Sequence, residues 1–266
     1  MLITVLTQTY NRGYIIKKLY RSLLQQTDKN FEWIVIDDGS EDDTENIFQK
    51  ILEKKKLNLK YFKKKNGGKH TALNIGIEKA KGEMLIIVDS DDYLMENAIK
   101  RIREESKKIL DKKEIAGVSF RKIRISDNKI IGSTPLKYEY LDINSIDYRY
   151  KYKVSGDLAE CFKLKILKEF LFPIYSGEKF VPEALVWNRI ASNYKMRFFN
   201  NEGLYMCEYL SDGYSQQFNQ LRKQNPKAYK QYYKEEIFNL KIPIKRKIAC
   251  LLRILQIKGS KNDDFI

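Results

Sequence analysis

Met84-Leu85-Ile86-Ile87-Val88-Asp89-Ser90-Asp91-Asp92 is the stretch that decides the fold: five apolar residues stop abruptly at four polar ones, three of them carboxylates. An uninterrupted apolar run of this length reads as a strand buried on both faces, as in sheets covered by helices. The same pattern stands upstream. Leu2 to Leu6 and Phe31 to Ile36 are short apolar, β-rich runs, and the second ends in Asp37-Asp38-Gly39-Ser40. Leu57 to Phe62 reads as a further strand, ended by Lys63-Lys64-Lys65-Asn66-Gly67-Gly68.

Helical periodicity fills the gaps. Ile16, Leu19 and Leu23 share one face, Thr44 to about Lys56 carries its lysines outward, and Leu73, Ile77 and Ala80 fall at core spacing within 72–80. Strands separated by helices of this length imply right-handed crossovers and a mainly parallel sheet. Ligands of such sheets lie beyond the carboxyl ends of the strands. Tyr10-Asn11-Arg12, Asp37-Asp38 and Asp89-Ser90-Asp91-Asp92 therefore converge on one crevice.

After Glu114 the alternation weakens. Ile115 to Ile125 reads as a strand with a turn at Asn128, 135–155 as irregular and tyrosine-rich, Glu183 to Ala191 as a helix, and Lys195 to Phe199 and Leu204 to Tyr209 as two strands. No Pro/Gly/Ser linker or internal repeat divides the 266 residues, enough chain for a sizeable core. The expected organisation is one domain over 1–215, with a regularly alternating half (1–112) and a less regular half (113–215), followed by a basic helical extension over 216–266.

Composition narrows the function classes. With 43% hydrophobic and 32% charged residues the chain is neither disordered nor membrane-embedded. No run reaches the roughly 18 apolar residues of a spanning helix, and Met1 to Leu6 is too short for a signal peptide. Three scattered cysteines argue for a reducing, cytoplasmic setting, and a single histidine excludes a structural zinc site. The net charge of +15 calls for an anionic partner or is a solvated lysine-rich surface. No zinc finger or aromatic RNA-binding signature accompanies it, so no nucleic acid is expected.

Several carboxylates at one sheet edge cannot all stay ionised without a cation between them, and a hard divalent ion, Mg²⁺ or Mn²⁺, takes oxygen ligands. The plain alternative is that the aspartates cap turns. An EF-hand is excluded by Leu94 and Lys100 at the positions of its Gly and Glu. A nicotinamide site is excluded because Gly-x-Gly-x-x-Gly is missing after the first strand. A phosphatase of the Asp-x-Asp type carries its motif on the first strand rather than the fourth.

Thr9-Tyr10-Asn11-Arg12, Asp37-Asp38-Gly39-Ser40 with Asp42 and Thr44, Ala72-Leu73-Asn74, Ala80-Lys81-Gly82-Glu83 and Asp89-Ser90-Asp91-Asp92, in that order, resemble the family 2 inverting glycosyltransferases of GT-A fold. The resemblance is specific over 1–95 and thinner beyond 130. It implies an α/β GT-A domain that transfers a sugar, with inversion, from a nucleoside diphosphate donor (uridine-based) to a hydroxyl of a glycan or lipid-linked acceptor in cell-surface polysaccharide or glycoconjugate synthesis.

Carried onto this chain, the family pattern gives donor contacts to Thr9, Tyr10, Asp38, Asp89 and Ser90. Tyr10 would stack on the base, Asp38 accept from its polar edge and Asp89 reach the ribose. Asp91 would ligate Mn²⁺ or Mg²⁺, with Asp92 supporting from behind. Gln8 stands where the family often has a proline or small residue. Lys69, after Gly67-Gly68, is placed to meet the diphosphate as a point charge or is one more surface lysine, and His70 reads as a loop or core residue. The base that takes the acceptor proton falls on Glu183, at a helix start after Pro182. Ala184 replaces the family's second acid, and Glu178 and Asp157 are the alternatives. Trp187 and the tyrosines of 138–152 either stack on acceptor sugars or pack, and Tyr209–Ser215 resembles a loop closing over the donor.

In the extension, Ile244, Ile248, Leu251, Leu252 and Leu255 form one helical face with lysines and arginines mostly off it. Such a helix lies on an anionic membrane, on the inner face of the cytoplasmic membrane if the acceptor is lipid-linked, or packs on protein. The competing class for the whole chain is a non-catalytic basic module binding membrane or nucleic acid.

Overall fold

The structure, a computed structural model, describes residues 1–209 and 217–259. Among them the chain runs β1 (Ile3–Thr9), α1 (Lys17–Gln25), β2 (Phe31–Asp37), α2 (Thr44–Glu53), β3 (Leu59–Lys63), α3 (Lys69–Lys79), β4 (Met84–Ile87), β5 (Tyr93–Leu94) and α4 (Ala98–Lys107). It continues through β6 (Ile115–Arg124), β7 (Lys129–Ile130), β8 (Tyr140–Ile143), α5 (Ser145–Tyr150), β9 (Leu158–Lys163), α6 (Leu164–Glu169), α7 (Glu183–Asn193) and β10 (Lys195–Cys207). Three helices, α8 (Phe218–Gln224), α9 (Pro226–Phe238) and α10 (Ile244–Gly259), follow.

One sheet runs through the molecule in the order β3-β2-β1-β4-β9-β6-β10-β5. The first four strands are parallel, as their apolar runs and intervening helices require. β9 enters antiparallel between β4 and β6, and β10 lies parallel to β6. The sheet is therefore parallel in its first half and mixed beyond.

Side chains alternate across it. Ile3, Val5, Trp33 and Val35 meet Leu19, Leu23, Phe48 and Ile102 on one face. Leu6, Ile34, Ile36, Leu85 and Phe162 meet Leu73, Ile77 and Leu185 on the other. Three layers result, with helices on both faces.

The second half differs from the sequence expectation in three places. The region 135–155 contains β8 and α5, whose start Asn144 caps by accepting from the Asp147 N–H at 2.9 Å. Residues 195–209 hold one strand, β10, with register shifts where two strands were expected. β9, with two charges in six residues, carries no strand pattern of its own; in the first half, α4 stands where no helix was expected, although Ala98, Ile99 and Ile102 share its buried face.

Topology dictates what the carboxyl edge holds. β1, β2 and β4 end there in register, Thr9 opposite Asp37, with the Asp38 N–H donating to Thr9 O at 2.8 Å and the Val88 N–H to Leu6 O at 2.9 Å. β6 and β10 run the same way, so their ends, Lys122 and Cys207-Glu208, reach that edge too. β9 runs oppositely and brings its start, Asp157.

Candidate active site

These ends enclose a cleft of about 540 Å³. Tyr10, Lys69, Asp89, Ser90, Asp91 and Glu183 of the expected set line it, together with Gln8, Arg12, Asp92, Lys122, Asp157, Phe180, Cys207, Glu208, Tyr209 and Gln217.

Lys69 is its hub. The ammonium stands 2.6 Å from Asp89 Oδ1 and 2.9 Å from Glu183 Oε1. Burial disfavours its charge, but Asp89 and Glu183 outweigh that and hold it well above the ordinary lysine range. The pair exists because the loop before α7 is clamped on α3. Gly68, at φ +94°, precedes Lys69, and a Cβ there would lie 1.9 Å from the Lys179 carbonyl oxygen. Only glycine admits so close a backbone approach in that conformation.

Asp89 sits where β4 ends, its N–H donating to the Tyr205 hydroxyl at 3.0 Å and its Oδ1 accepting from Gln8 at 3.3 Å. Burial opposes its ionisation, yet Lys69 and Lys122 bring its carboxyl down to about 2. Asp91 is pushed up, by burial first and by the Asp89 charge next. Burial drives Asp92 to about 7 against Lys122, whose ammonium lies 3.8 Å away and 4.0 Å from the Tyr205 ring centre.

Thr9 and Asp38 are not brought into this cleft. Thr9 is wholly buried. Asp38 is buried with both oxygens occupied: Oδ1 accepts from the Gly67 N–H at 2.9 Å and from Lys64, and Oδ2 from the Gly68 N–H at 2.7 Å. In place of an open base-reading carboxylate, the structure has one that fixes the Gly67-Gly68 loop and hence Lys69. His70 is buried in α3, where burial lowers its pKa and favours the neutral ring.

The alternatives to Glu183 separate clearly. Glu178 is buried and accepts from the Lys227 and Ala228 N–H groups at 2.6 and 2.9 Å, capping α9. Asp157 lines the cleft but accepts from the Tyr209 hydroxyl at 2.6 Å. Trp187 packs, its ring 4.7 Å from Phe162 and 5.8 Å from Phe172. Tyr148 is buried against Phe198 at 4.0 Å. Tyr138 and Tyr140 are exposed. Of Tyr209–Ser215, Tyr209 lines the cleft and 210–215 lie outside the described residues.

Sequence reasoning missed Lys122, which lines the cleft, and Glu160, which lies outside its lining. Glu160, on β9, is pushed up to about 7, chiefly by burial and further by Glu183, against Arg149 and Lys122. The available signal was a charged residue inside an otherwise apolar strand pattern, hard to weigh in so charged a chain.

Six carboxylates (Asp89, Asp91, Asp92, Asp157, Glu183, Glu208) face three cations (Arg12, Lys69, Lys122) among the described lining residues. An acidic cleft in a strongly basic protein repels a diphosphate unless a cation accompanies it. Among the described residues no three His, Cys, Asp or Glu side chains form a closed ligand set. Mg²⁺ or Mn²⁺ takes one or two carboxylates and completes its shell with substrate phosphates, and Asp91, lining the cleft beside Asp89, is a carboxylate of the kind such an ion takes.

The fold is the GT-A fold. It superimposes on S. aureus TarS in complex with UDP-GlcNAc with a TM-score of 0.68 at 22% identity, covering 98% of this chain and 73% of that one. A Pyrobaculum calidifontis mannosyltransferase in complex with GDP-Man and Mn²⁺ gives 0.59 at 19% identity, covering 96% and 68%. The profile described as Glycosyl transferase family 2 matches residues 4–169. Glycosyltransferase GlyG of Streptococcus pneumoniae serotype 4 is 30% identical over 213 residues, 77% of this chain and 70% of that protein. The chain belongs to glycosyl transferase family 2. It spans 16% of the length of a Rickettsia conorii relative described as an uncharacterized glycosyltransferase, 41% identical over 97 residues, which are 36% of this chain.

Proposed function

We propose that this protein is a metal-dependent inverting glycosyltransferase that moves a sugar from a UDP-sugar to a hydroxyl of a glycan or lipid-linked acceptor. The setting is cell-surface polysaccharide or glycoconjugate synthesis on the cytoplasmic side. The observation that carries it is the Lys69 bridge. One ammonium joins Asp89, on the donor half (1–112), to Glu183, on the acceptor half (113–215), inside an acidic cleft.

Glu183 is the base. Its Oε takes the acceptor hydroxyl proton as that oxygen bonds to the anomeric carbon, and the bond from that carbon to the diphosphate oxygen breaks on the opposite face. Lys69 orients Glu183 and adds positive charge beside the leaving group. Asp89 and Ser90 receive the ribose, and Tyr10, exposed at the cleft, stacks on the base. Thr9 and Asp38 act from beneath, Asp38 through the loop that carries Lys69. Asp91 would hold a divalent ion, which when bound neutralises diphosphate charge. Mn²⁺ in the Pyrobaculum complex supports that choice, and UDP-GlcNAc in TarS supports a uridine donor.

The test is thermal denaturation with UDP, GDP, CDP, dTDP or ADP, each with and without Mn²⁺. UDP with Mn²⁺ raises Tm, and Asp91→Asn removes the metal-dependent part. A flat response to every nucleotide refutes the reading. Glu183→Gln retains the UDP shift and loses transfer.

A further inference from the structure

The C-terminal helices supply a surface that the cleft does not use. α10 packs on α9 by one face: Cys250 and Ile257 are buried with Tyr229 and Tyr233, Arg246 pairs with Glu236 at 2.7 Å, and Arg253 lies over the Phe218 and Tyr233 rings. The stripe that the sequence marks as apolar is the other face. Ile244, Ile248, Leu251, Leu252 and Leu255 are each between 51% and 69% exposed. Phe238, the last residue of α9, and Leu240, in the turn leading to α10, are 80% and 94% exposed. An apolar stripe this long and this open marks an interaction site.

Charge selects its occupant. At about 100° per residue, Lys245 and Lys247 fall on opposite flanks of the stripe. Between Glu236 and Asp263 stand seven Lys/Arg and no Asp or Glu. A second copy would bring these basic flanks together with nothing acidic to offset them. A nucleic acid would leave the leucines uncovered. An anionic bilayer satisfies both features, since acyl chains take the stripe and lipid phosphates take the flanking ammoniums.

We infer that α10 docks this protein on an anionic membrane surface, lying in the interface with Ile244, Ile248, Leu251, Leu252 and Leu255 immersed. None of these residues lines the cleft, so the inference stands or falls apart from the transfer reaction.

Co-sedimentation of the whole chain with phosphatidylcholine vesicles, with and without phosphatidylglycerol, tests it at low and high salt. Binding is expected with phosphatidylglycerol at low salt, weakening as salt rises. The Leu251→Ser/Leu252→Ser variant partitions about tenfold less or worse. Lys245→Glu/Lys247→Glu loses the preference for phosphatidylglycerol. Both variants should keep the wild-type melting curve, because these side chains point away from α9. The inference is overturned if the wild type stays in the supernatant, or if the leucine variant sediments as the wild type does. It is equally overturned if light scattering finds a dimer that the leucine variant splits, which would make the stripe an interface between copies.

Discussion

Lys69 Nζ stands 2.9 Å from Glu183 Oε1, tying the start of the helix after the third strand to the start of the helix after the acceptor region. The same ammonium holds Asp89 at 2.6 Å. Donor-side and acceptor-side carboxylates thus share one cation. Its removal leaves two negative groups facing each other across the cleft with no cation between them.

Lys69→Met should therefore lower transfer by about a hundredfold, since a misplaced base and a lost cation both act on the transition state. Lys69→Arg should recover part of it. Steady-state rates at saturating donor measure this. Asp89, held at about 2 in the fold against an ordinary 3.8, favours folding above that ordinary value and loses the contribution as pH falls through 2. The stability gap between wild type and Lys69→Met should accordingly be full near neutrality and narrow on acidification, as followed by urea unfolding.

Gly68→Ala forces a β-carbon into the Lys179 carbonyl and a strained φ on alanine. It should cost roughly 3 kcal/mol. It should also part Lys69 from Glu183, so activity falls further than the unfolded fraction explains. Chemical denaturation together with activity per folded molecule separates the two effects.

Glu178→Ala removes the carboxylate that caps α9 through Lys227 and Ala228. A loss of about 1–2 kcal/mol is expected, or a few degrees in Tm for a chain of this size. Activity of the folded protein should persist. Abolished transfer at full folding would instead return Glu178 to the list of bases.

Glu160→Gln tests the opposite sign. A carboxyl at about 7 in the fold and 4.5 when unfolded carries no penalty below 4.5, and folding loses stability as pH rises from there through 7. The glutamine variant should thus be more stable than wild type by roughly 3 kcal/mol at pH 8, and by much less at pH 5. Equal stability at both pH values would show that Glu160 ionises as it does in water.

The parallel half of the sheet was legible from local pattern. Apolar runs at 31–36 and 84–88, ending in aspartates, need only period and composition to be read as strands meeting a ligand edge. The second half was not. β9 looks like Leu158-Ala159-Glu160-Cys161-Phe162-Lys163, with two charges in six residues, and nothing local says that it inserts antiparallel between β4 and β6. That insertion puts Asp157 and Lys122 at the cleft. Glu183 was readable as a helix start, whereas Glu178, five residues earlier and chemically identical, became a cap only through contact with α9.

The sequence by itself determined which residues end strands, where the carboxylates gather and which face of the last helix is apolar, because these are properties of neighbours along the chain. Tertiary structure alone decided that Asp38 is spent on the Gly67-Gly68 loop, that Lys69 bridges Asp89 and Glu183, and that the apolar face of α10 looks outward. Each depends on segments far apart in sequence being brought within hydrogen-bond or van der Waals range. Those interactions weaken so steeply with distance that no pattern within one segment records them.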